Sequence, residues 1–172
     1  MKNYLLLVLF AVSIMIGLHA QNVRIAYIDS NRIMVECNDT KEAQKLYQNA
    51  RDNWDREIDE LSEEIRRMED EYERRKFTLP ESGKKEYEDR IATKRQERAQ
   101  QLEKIFGEEG LAAAKNTELL APIMAKLRNI IDQIAVDENY SIVFDAATSG
   151  IIYAVERMDI TQQVISEMNL SN

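Results

Sequence analysis

Trp54-Asp-Arg-Glu-Ile-Asp-Glu-Leu-Ser-Glu-Glu-Ile-Arg-Arg-Met-Glu-Asp-Glu-Tyr72 decides the architecture of this chain. Its apolar residues fall at Trp54, Ile58, Leu61, Ile65, Met68 and Tyr72, with spacings of 4, 3, 4, 3 and 4. That alternation is the narrow seam of a coiled coil, whereas a helix lying on a globular core carries a broader apolar stripe. Nearly every other position is charged, so one edge of this helix is dry and the rest faces water. The helix is predicted to start after Asn38-Asp39-Thr40, where Asp39 or Thr40 can cap free backbone N–H groups.

Phe77-Thr-Leu-Pro-Glu-Ser-Gly83 interrupts the pattern. Pro80 has no N–H and its ring clashes with the preceding turn, so the first helix cannot pass it; Gly83 adds backbone freedom. Pro80-Glu81 then suits the first turn of a second helix, with the carboxylate at the positive end of the dipole. If the chain reverses about Pro80, residues equidistant from it face one another. Trp54 meets Phe106, Ile58 meets Leu102, Leu61 meets Ala99, Ile65 meets Arg95, Met68 meets Ile91 and Tyr72 meets Tyr87. Only the Ile65–Arg95 pair is not apolar on both sides, and there the arginine stem can cover the seam while its charge reaches water. Glu57–Glu73 is mainly acidic, while Lys84–Arg98 carries Lys84, Lys85, Arg90, Lys94, Arg95 and Arg98. Opposite charge on the two halves helps set register. Pro80, Gly83 and the charged Lys94 and Arg98 at seam positions argue against one uninterrupted rod dimerising in parallel.

The second helix is expected to continue past Gly107 and Gly110 to Val136, with Pro122 kinking it or marking a boundary. After Pro122 the apolar face broadens to Ile123, Leu127, Ile130, Ile131, Ile134 and Ala135, and there arm becomes body. Three β-like segments flank the helices: Val23–Asp29, Tyr140–Asp145 and, after a loop long enough for a hairpin, Ile151–Val155. Asp159 caps a last short helix carrying Ile160, Val164, Ile165 and Met168. The fold class is therefore α+β, a small β-sheet body bearing a long antiparallel helical-hairpin arm. The body comprises residues 21–38 and 122–172, and the arm residues 39–121, with its tip near 77–83. Ile25, Tyr27, Ile142, Phe144 and Ile152 are the candidate body core. So small a core is marginal without disulfides, metal or association.

Residues 1–20 read as an export signal: a positive start at Lys2, an apolar run from Tyr4 to Leu18, and a cleavage point after Ala20. The run stops short of the roughly 20 apolar residues that span a bilayer. The net charge is −8, and loss of Lys2 with the leader would make it −9. Cleavage would also remove the one histidine, His19, and leave a single cysteine, Cys37, too few for a disulfide and poor material for zinc. Association is then the remaining way to stabilise the body. The acidity argues against sequence-independent nucleic-acid binding, and against direct binding of anionic lipid or lipopolysaccharide.

Arg24-Ile-Ala-Tyr-Ile-Asp-Ser-Asn-Arg-Ile33 after a leader resembles the start of the Skp/OmpH family of periplasmic chaperones. Leu119-Leu-Ala-Pro-Ile123, Val136-Asp-Glu-Asn-Tyr-Ser-Ile-Val-Phe-Asp145 and Asp159-Ile-Thr161 resemble later parts of it, in order, around a proline-broken charged hairpin. The resemblance implies a periplasmic homotrimer, with the five candidate core residues at the trimer contact. It also implies a cavity between three arms that shields unfolded outer-membrane proteins without ATP. Well-known members are strongly basic; this chain is acidic, so capture by charge is not carried over.

A holdase needs many weak, adaptable contacts, which a thin seam with abundant charge supplies. Met68, Tyr72, Phe77, Leu79 and Tyr87, near the tip, are the candidate client contacts. The alternative is an exported tethering coiled coil that binds one folded partner. Enzymatic readings fare worst: no histidine would remain for a base or a metal, no Gly-rich phosphate loop is present, and paired carboxylates such as Glu63-Glu64 belong to solvated helix faces. No cofactor is expected.

Overall fold

A computed structural model describes residues 23–170; the export signal and its cleavage point lie outside them. Strand β1 (Ile25–Ile28) leads into a short helix α1 (Ser30–Glu36). The arm follows as α2 (Asn38–Arg75) and α3 (Glu81–Phe106). Helix α4 (Leu111–Asp137) returns to the body, where β2 (Ile142–Asp145) pairs parallel with β1, Ile25 opposite Ile142 and Tyr27 opposite Phe144. A single turn, α5 (Ala146–Ser149), a 3₁₀ turn (Glu156–Met158) and α6 (Thr161–Leu170) complete the chain. Parallel neighbours cannot be joined by a tight turn, and here the whole arm is the crossover.

Helix α1 was not anticipated. Asp29 caps it, accepting from the Arg32 N–H at 3.0 Å, and its Ile33 is fully buried. The arm helix then starts at Asn38, after a break at Cys37 that has no side-chain cap; Asp39 instead pairs with Lys126 of α4 at 2.8 Å. That ammonium also donates to the Met168 carbonyl of α6 at 2.8 Å, so one side chain ties arm, return helix and C-terminal helix together.

Three expectations need correction. The second helix does not run unbroken to Val136: α3 ends at Phe106 and α4 begins at Leu111. Gly107 and Gly110 make this turn possible by close approach. A Cβ at Gly107 would lie 2.4 Å from the Glu103 carbonyl oxygen, and one at Gly110 2.6 Å from that of Ile105. Pro122, by contrast, neither ends nor divides α4. The proline forfeits one hydrogen bond, but Ile123 and Leu127 just beyond it are buried in the body core and hold the helix through it. Ile151–Val155 forms no strand among the described residues. The chain leaves β2 through a helical turn ended by left-handed Gly150 (φ 64°) rather than a hairpin, and β1 is bridged instead at Asp159. Gly110→Ala should therefore cost about 1–3 kcal/mol, read as a lower midpoint in a thermal melt followed by circular dichroism.

The core lies on one face of the two-stranded sheet. Ala26 and Ile28 point into it and meet Ile33, Cys37, Leu127, Ile134, Val164, Ile165 and Met168. The buried Thr161 hydroxyl accepts the Asp29 N–H at 2.9 Å. Asp145, at the end of β2, accepts from the Ser30 hydroxyl at 2.7 Å, the Ser30 N–H at 3.2 Å and the Ala147 N–H at 3.1 Å. Burial alone would raise its pKa, but these donors outweigh burial and hold it below the usual carboxylate value. A lowered carboxylate stabilises the fold above its unfolded pKa near 4, and that contribution is lost as pH falls through the folded value. Asp145→Asn should cost about 2 kcal/mol at pH 7. The gap to the parent should narrow in urea melts as pH falls through the folded value, because the parent's advantage belongs to the ionised carboxylate.

Candidate functional site: the arm and the open sheet face

The arm has the register set by reversal at Pro80. At its base the Trp54 and Phe106 rings meet edge to face, centroids 6.4 Å apart. Near its tip Tyr72 and Tyr87 stack at 5.8 Å with 20° between planes. Between them Gln101 donates to Glu57 at 3.1 Å, Lys94 pairs with Glu64 at 3.3 Å and Arg95 donates to Glu69 at 2.6 Å. These cross-pairs are exposed, and each stabilises by well under about 1 kcal/mol; what they fix is register. The dry residues of the seam are Ile65, Ile91 and Ile105. Ile65 is buried although its expected partner, Arg95, swings out to Glu69. Ala99, expected opposite Leu61, is exposed, and Arg98 occupies the seam beside Ser62, to which it donates at 3.4 Å. Its Nε is buried without a hydrogen-bond partner. A charged group there weakens the middle of the arm while its stem still fills the seam.

The two tyrosines sit in a reciprocal arrangement. Tyr72 of α2 donates to Glu88 of α3 at 2.6 Å, and Tyr87 of α3 donates to Glu71 of α2 at 2.8 Å. Arg75 completes the second pair, donating at 2.8 Å both to Glu71 and to the Tyr87 hydroxyl. The hydrogen bond to Glu88 pushes the Tyr72 phenol up to about 12. The bonds from Tyr87 and Arg75 lower the Glu71 carboxyl.

The five candidate client contacts are thus distributed unequally. Met68, Tyr72 and Tyr87 are half-buried between the helices, and Leu79 is half-buried in the turn, its side chain against Gly83. Phe77 stands 87% exposed at the tip, with the Lys76 ammonium 5.3 Å from its ring centre. Sequence reasoning missed a second apolar region, at the arm's base. Leu46, Phe106, Leu111 and Met124 are all exposed there. A groove of about 380 Å³ runs between Ala43 and Leu46 on α2 and Leu119, Pro122 and Ile123 on α4. The available signal was the presence of Leu46 and Met124 off the seam spacing.

None of the five candidate body-core residues lies in the core of the single chain. Ile25, Tyr27, Ile142 and Phe144 occupy the sheet face opposite Ala26 and Ile28. Ile25 and Tyr27 are half-buried, while Ile142 and Phe144 are 44% and 40% exposed. Ile152 lies off the sheet and is wholly exposed, beside Tyr153, which is 84% exposed. Four of the five therefore form an apolar sheet face that is open in the single chain, of the kind that marks an interaction surface. Among the described residues no group of histidine, cysteine or carboxylate side chains could hold a metal ion, and no helix is long and apolar enough to cross a membrane.

A long two-helix arm thus stands on a small parallel-sheet body with one apolar sheet face open in the single chain. The family model described as Outer membrane protein (OmpH-like) matches residues 24–168, and the chain belongs to that family, the Skp/OmpH family. Its fold is similar to the crystal structure of a protein from Caulobacter crescentus CB15 described as a candidate outer membrane chaperone (OmpH-like). The TM-score is 0.77 at 15% identity, covering 91% of this chain and 90% of that one. No curated protein matches.

Proposed function

We propose that this chain is an ATP-independent holdase chaperone of the periplasm. Three copies join through the open sheet face and shield unfolded outer-membrane proteins between their arms. The observation that carries this reading is the pairing of two unfinished surfaces on one chain. The apolar face of Ile25, Tyr27, Ile142 and Phe144 needs a second copy, and the arm offers scattered apolar groups rather than a pocket. Family membership supports the chaperone role, and the leader at residues 1–20 supports export.

Enclosure acts by separating one unfolded chain from others, so no single residue must bind tightly. Phe77 at the tip and Leu46, Phe106 and Met124 near the base supply dispersed apolar contact, and the charged flanks keep the empty arms soluble. The half-buried Met68, Tyr72, Leu79 and Tyr87 hold the tip together first and touch client only at their edges. No step in this function is catalytic. The test is to dilute an outer-membrane β-barrel protein from urea into buffer with a molar equivalent of assembled mature protein, without nucleotide. Suppressed light scattering is expected. Unchanged aggregation, with saturable binding to one folded partner instead, would leave a tethering protein.

A further inference from the structure

The reciprocal tyrosine arrangement at the tip is filled on one side only. Around Tyr87, the Glu71 carboxylate and the phenol together bind the Arg75 guanidinium, which lies 5.6 Å from the ring centre; the Arg90 guanidinium lies 5.9 Å from the same ring. Around Tyr72, the same phenol–carboxylate pair forms with Glu88, yet no cation among the described residues pairs with Glu88. The residue in the place equivalent to Arg75, four positions tipward of the carboxylate, is Lys84, and its ammonium is held by Glu81 at 2.6 Å. This unfilled half opens onto a groove of about 430 Å³ floored by Tyr72, Ile91 and Ala92. Glu69, Glu73 and Glu88 rim it; Arg95, the cation at the rim, is already bonded twice to Glu69.

We propose that the Tyr72–Glu88 groove binds the arginine side chain of an extended, unfolded polypeptide, as the Tyr87–Glu71 pair binds Arg75 within the chain. A guanidinium suits both components, because its planar donors match a carboxylate edge and its face suits an aromatic ring. Charge complementarity extends beyond the groove, since the whole chain carries a net charge of −8. The inference rests on the holdase reading and adds a preference to it: cationic segments of a client are held near the tips, while dispersed apolar contact holds the rest.

The test uses the mature protein and two unstructured Gly/Ser/Tyr peptides, one bearing three arginines and the other the isosteric, uncharged citrulline at the same places. Fluorescence anisotropy at about 50 mM salt, where surface charge is lightly screened, should show the arginine peptide binding about fivefold more tightly. Glu88→Gln, which still offers an acceptor to the Tyr72 hydroxyl, should bring the two peptides within about twofold of each other. Glu86→Gln removes the same charge from an exposed position outside the groove and should leave the preference intact. A preference absent in the parent, unchanged in Glu88→Gln, or lost equally in Glu86→Gln would overturn the site. Aggregation suppression is measured separately on the same proteins. If suppression holds without an arginine preference, the site falls and the holdase stands; if an arginine preference confined to Glu88 persists without suppression, the reverse is true.

Discussion

Replacing Ile142 and Phe144 together with aspartate is expected to leave the chain folded and monomeric. Both side chains lie on the outer face of β2, so in one chain the new carboxylates stay hydrated and β1–β2 pairing is untouched. In an assembly that buries this face, each would be a desolvated charge without a partner, costing several kcal/mol per ion. Repeated on every copy, that exceeds what a small interface supplies. The far-ultraviolet circular dichroism spectrum should match the parent, while light scattering should report one chain instead of several. Holdase activity should disappear with assembly, because a lone arm encloses nothing. An assembly of parental mass in the double variant would place the contact elsewhere.

The second large effect lies inside the body. Ile33→Ala should destabilise by about 2–5 kcal/mol, the range for emptying a fully packed aliphatic site. Ile33 is fully buried between the sheet and the C-terminal helix, and its neighbours belong to elements anchored by Asp29, Thr161 and Asp145, so the site cannot easily collapse. Val35, two residues on, is 72% exposed, and Val35→Ala should stay within about 0.5 kcal/mol. Urea unfolding at one fixed protein concentration checks the contrast, since assembly makes stability depend on concentration.

The arm was legible because its information is local and redundant. A seam of alternating 4 and 3 spacings, Pro80 with Gly83 close behind it, and opposite charges on the two halves all imply the same reversal. The aromatic pairs at base and tip then follow from counting outward from Pro80. The break at Gly107–Gly110 was not legible, since glycine costs a helix interior only about 1 kcal/mol and strong helix formers lie on both sides. Pro122 does not end its helix, because a helix anchored by Ile123 and Leu127 tolerates a lost hydrogen bond that an isolated one would not.

The body was read correctly in class, but the core of the single chain uses the other alternate set, Ala26 and Ile28. In Arg24–Asp29 both alternate sets are apolar, so period-two alternation cannot say which of Ile25/Tyr27 and Ala26/Ile28 faces inward. Ala26 and Ile28 face the helices, which leaves the larger pair, Ile25 and Tyr27, on the outer face of the single chain. Ile151–Val155 has strand-like side chains, but strand preference mostly measures fit to a neighbouring strand, and none lies beside it among the described residues. The reciprocal Tyr–Glu pairs at the tip needed the fold, since which carboxylate meets which phenol depends on side-chain positions around both helices.

The most direct test of the central claim is the molar mass, by light scattering coupled to size exclusion, of mature protein mixed with a urea-diluted outer-membrane β-barrel protein. The account predicts a soluble complex with the mass of three chains plus one client. A peak at the mass of a single chain, with the client lost to aggregates, would contradict it.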